Sequence, residues 1–206
     1  IEEVPPAVAK AAMDSGVARK DITDWEAYKG QLLDRIGNED KITRLLTRRA
    51  KSDPKRVVYA EADHLDVLKA AQVACEEGMA RPLLLGRKEV ILELMETIDF
   101  DKNDVTIIDP KDDEQQDQLK KYAHALWERR KRKGITLYDA EKLMRERNYY
   151  AAMMVVAGDA DAMLSGYSRA YPAVLKPVLE IIGKEPRAKI VAATNLMNTK
   201  KGPIFI

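Results

Sequence analysis

Six short apolar runs in the last three quarters of the chain are separated by longer stretches that are apolar on one side only. This alternation limits the possible folds more than any other feature. The runs are 56–60, 82–85, 105–108, 162–164, 189–193 and 203–206, each of strand length and mostly of Val, Ile, Leu or Ala. Between them, 65–79, 88–98, 114–132, 138–147, 149–157 and 173–182 read as helices. Strands without polar alternation are buried on both faces. The expected architecture is therefore a three-layer α/β fold, a mostly parallel sheet with helices on both faces. Such sheets hold ligands beyond the carboxyl ends of their strands, which singles out Glu61-Ala62-Asp63, Ser165-Gly166 and Thr194-Asn195.

Three helices precede this pattern. Pro5 and Pro6 open the first, which stops near Gly16. Thr23 or Asp24 caps the second, which carries Trp25, Tyr28, Leu32, Leu33 and Ile36 at helical spacing and ends at Gly37. The third covers 39–51 and is broken by Ser52-Asp53-Pro54.

Composition excludes several classes. A net charge of +1 gives no general attraction to nucleic acid or an anionic membrane. The single cysteine, Cys75, excludes an internal disulfide framework and fits a reducing cytoplasm. The longest apolar runs, such as 150–157, are far too short to span a bilayer, and no secretory signal is visible. The chain begins at Ile1 rather than Met, and Ile206 lies inside an apolar run. Both ends look cut, so a piece of a longer protein is expected.

From Val57 onward the sequence resembles the phosphotransacetylase family of phosphate acetyl- and butyryltransferases. The resemblance rests on Val67-Leu68-Lys69-Ala70-Ala71, Glu76-Glu77-Gly78-Met79-Ala80-Arg81-Pro82, Lys133-Gly134-Ile135-Thr136, Asn148-Tyr149-Tyr150-Ala151-Ala152-Met153-Met154 and, most strongly, Gly158-Asp159-Ala160-Asp161-Ala162-Met163-Leu164-Ser165-Gly166. Pro5-Pro6-Ala7-Val8-Ala9-Lys10-Ala11-Ala12-Met13-Asp14-Ser15-Gly16-Val17-Ala18 is instead similar to the end of the malic domain of NADP-dependent malic enzymes. That order is the one found in large bacterial hybrid malic enzymes. The resemblance implies a malic-domain tail over 1–19, a helical connector over 20–54, and a phosphotransacetylase-like (isocitrate-dehydrogenase-like) domain over 55–206, truncated on its C-terminal side.

The parent would oxidatively decarboxylate malate to pyruvate and carbon dioxide with NADP and a divalent metal, Mg or Mn. Both would be bound outside this chain, which would carry no catalytic residues and no metal site of its own. The expected partners are further copies of itself and the malic domain, with no nucleic acid and no membrane.

An acyl phosphate or acetyl-CoA needs fixed cations, backbone N–H groups and hydroxyl donors. By the resemblance, Ser165 and Gly166 line its crevice, Arg130 stands at the mouth, and Ser168, Arg169 and Lys176 complete the set. Their plain structural readings are a strand-to-helix turn and, for the run Arg129-Arg130-Lys131-Arg132-Lys133, a solvated helix end. The chain departs from active relatives after Ser165-Gly166. Tyr167-Ser168-Arg169-Ala170-Tyr171-Pro172 replaces a small residue and a Ser/Thr-rich turn, and Leu175-Lys176-Pro177 replaces Leu-Arg-Pro. A lysine gives a point charge where arginine gives a two-pronged grip. The departures favour a ligand-sensing domain over a working acetyltransferase, with a pure assembly scaffold as the third possibility.

Other reactive residue types read as structural. Asp159 caps a turn and Asp161 bonds locally before its strand. His64 and His124 lack ligand spacing and read as surface or capping residues. Cys75 is a small buried hydrophobe, and Met153 and Met154 are core. Lys69, Glu76 and Glu77 read as a solvated helix face.

Overall fold

The computed structural model describes residues 4–36, 41–199 and 202–206. In chain order the elements are α1 (Val4–Asp14), α2 (Trp25–Ile36), α3 (Lys41–Ser52), β1 (Lys55–Tyr59), α4 (Leu65–Glu76), β2 (Ala80–Leu85), α5 (Lys88–Ile98), β3 (Thr106–Ile108) and α6 (Gln116–Arg130). They continue with α7 (Leu137–Met144), α8 (Arg147–Ala157), β4 (Ala162–Leu164), α9 (Tyr171–Ile181), β5 (Leu196–Thr199) and β6 (Gly202–Phe205). The chain forms two compact units, Ile1–Arg48 with Ala192–Ile206, and Arg49–Val191.

In the larger unit β1 to β4 form a parallel sheet in the order β3-β2-β1-β4. Tyr59 stands opposite Leu84 of β2 and Leu164 of β4, and Leu85 opposite Ile108 of β3. Side chains alternate across the pleat as a period of two requires. Val58, Ala60, Leu85 and Ile108 enter one core with Leu119, Tyr122, Leu126, Met144, Tyr150 and Ile181 of α6 to α9. Tyr59 and Leu84 enter the other, with Leu68, Ala71, Ile91 and Met95 of α4 and α5. The expected three layers are present.

Local chemistry sets the helix ends. Thr136 and Asp139 form a reciprocal capping box at the start of α7. Gly158, in the left-handed region at φ 83°, closes α8. Pro172 falls in the first turn of α9, where a missing N–H costs nothing. The unusual Tyr171-Pro172 pair is thus a helix start. The long expected helix over 114–132 is α6 flanked by two short 3₁₀ turns.

In the smaller unit Asp24, not Thr23, caps α2, its Oδ1 accepting the N–H of Ala27 at 2.9 Å. The expected end of this helix at Gly37 and the expected start of the next at Glu39 lie outside the described residues.

Two expected parallel strands are corrected. Residues 189–193 form no ladder, and Ile190 and Val191 are mostly exposed. Residues 203–206 do not extend the parallel sheet either, since β6 pairs antiparallel with β5, Thr199 standing opposite Gly202. Apolar content makes a strand only where a neighbour completes its ladder. A hairpin finds that neighbour a few residues away, whereas a parallel strand needs a crossover of a dozen or more.

Candidate functional site

The chain runs β1, β2, β3 outward in one direction and then crosses back to place β4 on the other side of β1. The strand order reverses between β1 and β4, and ligands in open α/β sheets bind beyond the strand ends at such a point. The segments after these two strands are Glu61-Ala62-Asp63 and Ser165-Gly166-Tyr167-Ser168.

Glu61 is 1% exposed, and its carboxylate is surrounded by donors from the loop after β4. Oε1 accepts the N–H of Gly166 at 2.7 Å, the N–H of Tyr167 at 3.1 Å and Ser165 Oγ at 3.1 Å. Oε2 accepts the N–H of Ser168 at 2.7 Å and its hydroxyl as well. Three consecutive amides turned to one anion make a backbone nest. Gly166, at φ 110°, supplies the left-handed conformation that bends the loop around it. Burial pushes the Glu61 carboxyl up, but the bonds from Ser168, Gly166 and Ser165 outweigh burial and hold it at about 2.

Behind Ser165 stands Asn148, 1% exposed, with Oδ1 2.7 Å from Ser165 Oγ and Nδ2 without a partner among the described residues. A hydroxyl has one proton and a carboxylate only accepts, so Ser165 cannot serve both neighbours as a donor. With the amide turned over, Asn148 donates to Ser165 and Ser165 to Glu61, which also satisfies the orphaned Nδ2.

Asp63, the other carboxylate after β1, is gripped by Arg147 of α8 at 2.6 and 2.9 Å, with Arg87 Nε at 3.4 Å. Burial raises the Asp63 carboxyl, but the Arg147 bonds and charge with Arg87 hold it below its ordinary value. This pair opens a crevice of about 360 Å³ over the strand ends, lined by Arg87 after β2, Lys111 and Asp109 after β3, Arg145 and Arg147 before and within α8, and Ser168 and Arg169 after β4. Asp109 is committed to the backbone N–H groups of Lys111 at 2.9 Å and Lys88 at 3.3 Å. Five cations thus face two carboxylates, both already engaged, and Lys111, Arg145 and Arg169 have no ion-pair partner among the described residues. The arrangement suits a multiply charged anion.

Of the six residues implied by resemblance, the structure brings four together. Ser168 and Arg169 line the crevice, while Ser165 and Gly166, earlier in the same loop, turn their donors to Glu61. Arg130 is elsewhere, at the end of α6. Its Nη2 reaches Glu180 of α9 at 3.0 Å, and Tyr149 donates to the same carboxylate at 2.6 Å. Lys176, one helical turn before Glu180, is exposed and does not line the crevice. Glu61 and Asp63 had only the strand-end rule to point at them. Asn148 stood in a block of the resemblance but with no role attached, and Arg145 and Arg147 had no signal beyond their type.

The remaining residues serve structure. Asp159 accepts from Tyr122 and, at 3.2 Å, from Gln118 of α6. Asp161 bonds not locally but across the sheet, taking Arg56 N–H at 2.8 Å and its guanidinium at 2.9 Å, because the parallel register sets β4 beside β1. His64 takes the N-cap position of α4 without a side-chain cap, packs on Tyr167 and also lines the crevice, whereas His124 packs on Trp127. Cys75 packs against the α4–α5 core, and Met153 and Met154 are buried. Lys69, Glu76 and Glu77 are exposed. Among the described residues no three His, Cys, Asp or Glu side chains converge as a metal site requires, and no helix is long and apolar enough to cross a membrane.

Comparison with known proteins agrees with the fold. Residues 41–206 match the family described as Phosphate acetyl/butaryl transferase. The chain is 34% identical over 197 residues to an NADP-dependent malic enzyme of Rhizobium meliloti, covering 94% of this chain and 26% of the relative. It is 37% identical over 156 residues to a phosphate acetyltransferase of Thermoanaerobacterium thermosaccharolyticum, covering 76% of this chain and 46% of that protein. The chain therefore spans about a quarter of the malic enzyme and under half of the acetyltransferase. Its fold superimposes on the EutD phosphotransacetylase from Staphylococcus aureus with a TM-score of 0.71 at 23% identity, over 81% of this chain and 49% of that one.

Proposed function

This chain belongs to the Phosphate acetyl/butaryl transferase family, and from that premise we propose that it is the acetyl-CoA-binding, regulatory and assembly part of an NADP-dependent cytoplasmic malic enzyme. The observation that carries the proposal is the crevice over the strand ends, where Lys111, Arg145 and Arg169 stand around Ser168 without ion-pair partners among the described residues. A phosphate of the coenzyme fits such a site, since charge-assisted bonds from fixed cations are the strong ones. NADP and the divalent metal are assigned to the malic part, and self-association to the acetyltransferase-like part. Differential binding of acetyl-CoA to two states of the whole enzyme supplies the coupling to malate oxidation.

The test is malate-dependent NADP reduction by the full-length enzyme while acetyl-CoA is titrated. Saturable inhibition that weakens about tenfold in Arg169→Gln supports the proposal, that being the scale of one lost charge-assisted bond. A flat titration removes it.

A second reading, a working phosphate acetyltransferase, is favoured by the 37% identity to an enzyme of that name. Release of acetyl phosphate from acetyl-CoA and phosphate distinguishes the two. A domain that binds neither compound is an assembly scaffold.

A further inference from the structure

We propose that Glu61 is the positioning residue of this crevice: its carboxylate occupies the backbone nest of the loop after β4 in place of a ligand, and so fixes Ser168 and Arg169 at the crevice wall. The inference rests on the reading of the crevice as a phosphate site.

A loop of successive N–H groups beyond a strand end is an anion receptor in general, and the sequence alone suggests that Gly166 and its neighbours receive the ligand. The structure gives those donors to the protein itself. The amides of Gly166, Tyr167 and Ser168 lie 2.7, 3.1 and 2.7 Å from Glu61, and both serine hydroxyls point at the same group. The carboxylate is 1% exposed, so a ligand phosphate cannot enter the nest without expelling it.

The loop therefore keeps its shape without any ligand. Its outer end carries the consequence. Ser168 is shared by nest and crevice, and Arg169 follows it directly with no ion-pair partner among the described residues. Asn148, buried and otherwise unpaired at Nδ2, holds Ser165 from behind, so the inner end is fixed as well. A ligand anion meets side-chain cations rather than backbone amides. The position of one of them, Arg169, depends on a carboxylate of sign opposite to its own.

Titration of inorganic phosphate into the 206-residue chain tests this with four proteins: wild type, Arg169→Gln, Glu61→Gln and the double variant. Arg169→Gln is expected to weaken phosphate about tenfold. Glu61→Gln keeps the size but puts an amide N–H against the loop's donors, and is expected to weaken phosphate to a similar degree. The double variant then binds within twofold of Glu61→Gln alone, because Arg169 no longer stands where it acts.

A merely structural role for Glu61 would lower the thermal midpoint and leave the tenfold Arg169 effect intact. Single effects that multiply in the double variant overturn the proposal. So does tighter phosphate binding by Glu61→Gln, which would make Glu61 a competitor of the ligand. If Glu61→Gln does not fold, Ser165→Ala removes one donor only and is expected to shrink the Arg169 effect; an unchanged effect overturns the proposal. Absence of saturable phosphate binding in the wild-type chain sinks the phosphate reading and this inference together. Multiplying effects sink the role of Glu61 alone.

Discussion

Glu61 and Ser168 are 107 positions apart, yet the Ser168 N–H donates to the Glu61 carboxylate at 2.7 Å across the point where the strand order reverses. This contact joins the loop after β1 to the loop after β4, where the strand order reverses and a ligand crevice is expected. It also exposes the fold to acid. The folded Glu61 carboxyl is held at about 2, below its ordinary 4.5, so its contribution is fully present above pH 4.5 and is lost as the pH falls toward 2. The urea midpoint of the wild-type chain is expected to drop through that window more steeply than that of Glu61→Gln. Asp63 and Asp161, whose carboxyls are also held low, titrate in both proteins and cancel in the difference. Parallel pH profiles for the two would remove Glu61 from the acid response.

Asp63 and Arg147 make the second bond of this kind. The Asp63 side chain is 4% exposed and that of Arg147 23%. Removing one partner leaves a charge in a dry place, so Arg147→Met is expected to cost about 3 kcal/mol in urea unfolding. Replacing both, as Asp63→Leu with Arg147→Met, is expected to cost less than the sum of the single changes. Additive costs would show that each residue acts through neighbours other than its partner.

Gly166 has open space where a Cβ would stand, but its φ of 110° is a conformation that side chains rarely adopt. Gly166→Ala is therefore a strain effect and not a clash. About 1–2 kcal/mol of stability is expected to be lost, with a weaker hold on phosphate as the nest relaxes. Thermal melts and a phosphate titration read the two effects separately. A melt unchanged from wild type would mean that the loop takes another turn at no cost.

The layers were legible because β1 and β2 carry apolar residues on both faces, and only a sheet covered on both sides buries Val58 and Tyr59 together. The strand-end rule likewise reached Glu61, Asp63 and Ser165 as positions. It could not give their roles, since a nest is formed by φ angles and amide directions that residue types do not encode. Resemblance filled the gap with a ligand where the structure has Glu61. The run 189–193 was misread for a related reason. Its apolar residues suit a buried strand, but a strand also needs a neighbour, and the apolar residues after it pair with each other in β5 and β6.

Arg130 and Lys176 provide the sharpest contrast with the crevice. Sequence resemblance and cationic type place them with Arg169, whereas the geometry ties Arg130 to Glu180 and leaves Lys176 exposed on α9. Lys111 and Arg145, which resemblance did not select, line the crevice without ion-pair partners among the described residues. Lys111→Gln and Arg145→Gln are each expected to weaken inorganic phosphate severalfold, and their effects are expected to fade as salt is raised. Arg130→Gln and Lys176→Gln are expected to leave the phosphate affinity within twofold. Arg130→Gln still lowers the melting midpoint, because Glu180 and the Tyr149 hydroxyl lose a cation 16% exposed. The reverse pattern, a tenfold loss at Arg130 and none at Lys111 or Arg145, would move the anion to the α6–α9 side of the sheet and empty the crevice of its assigned role.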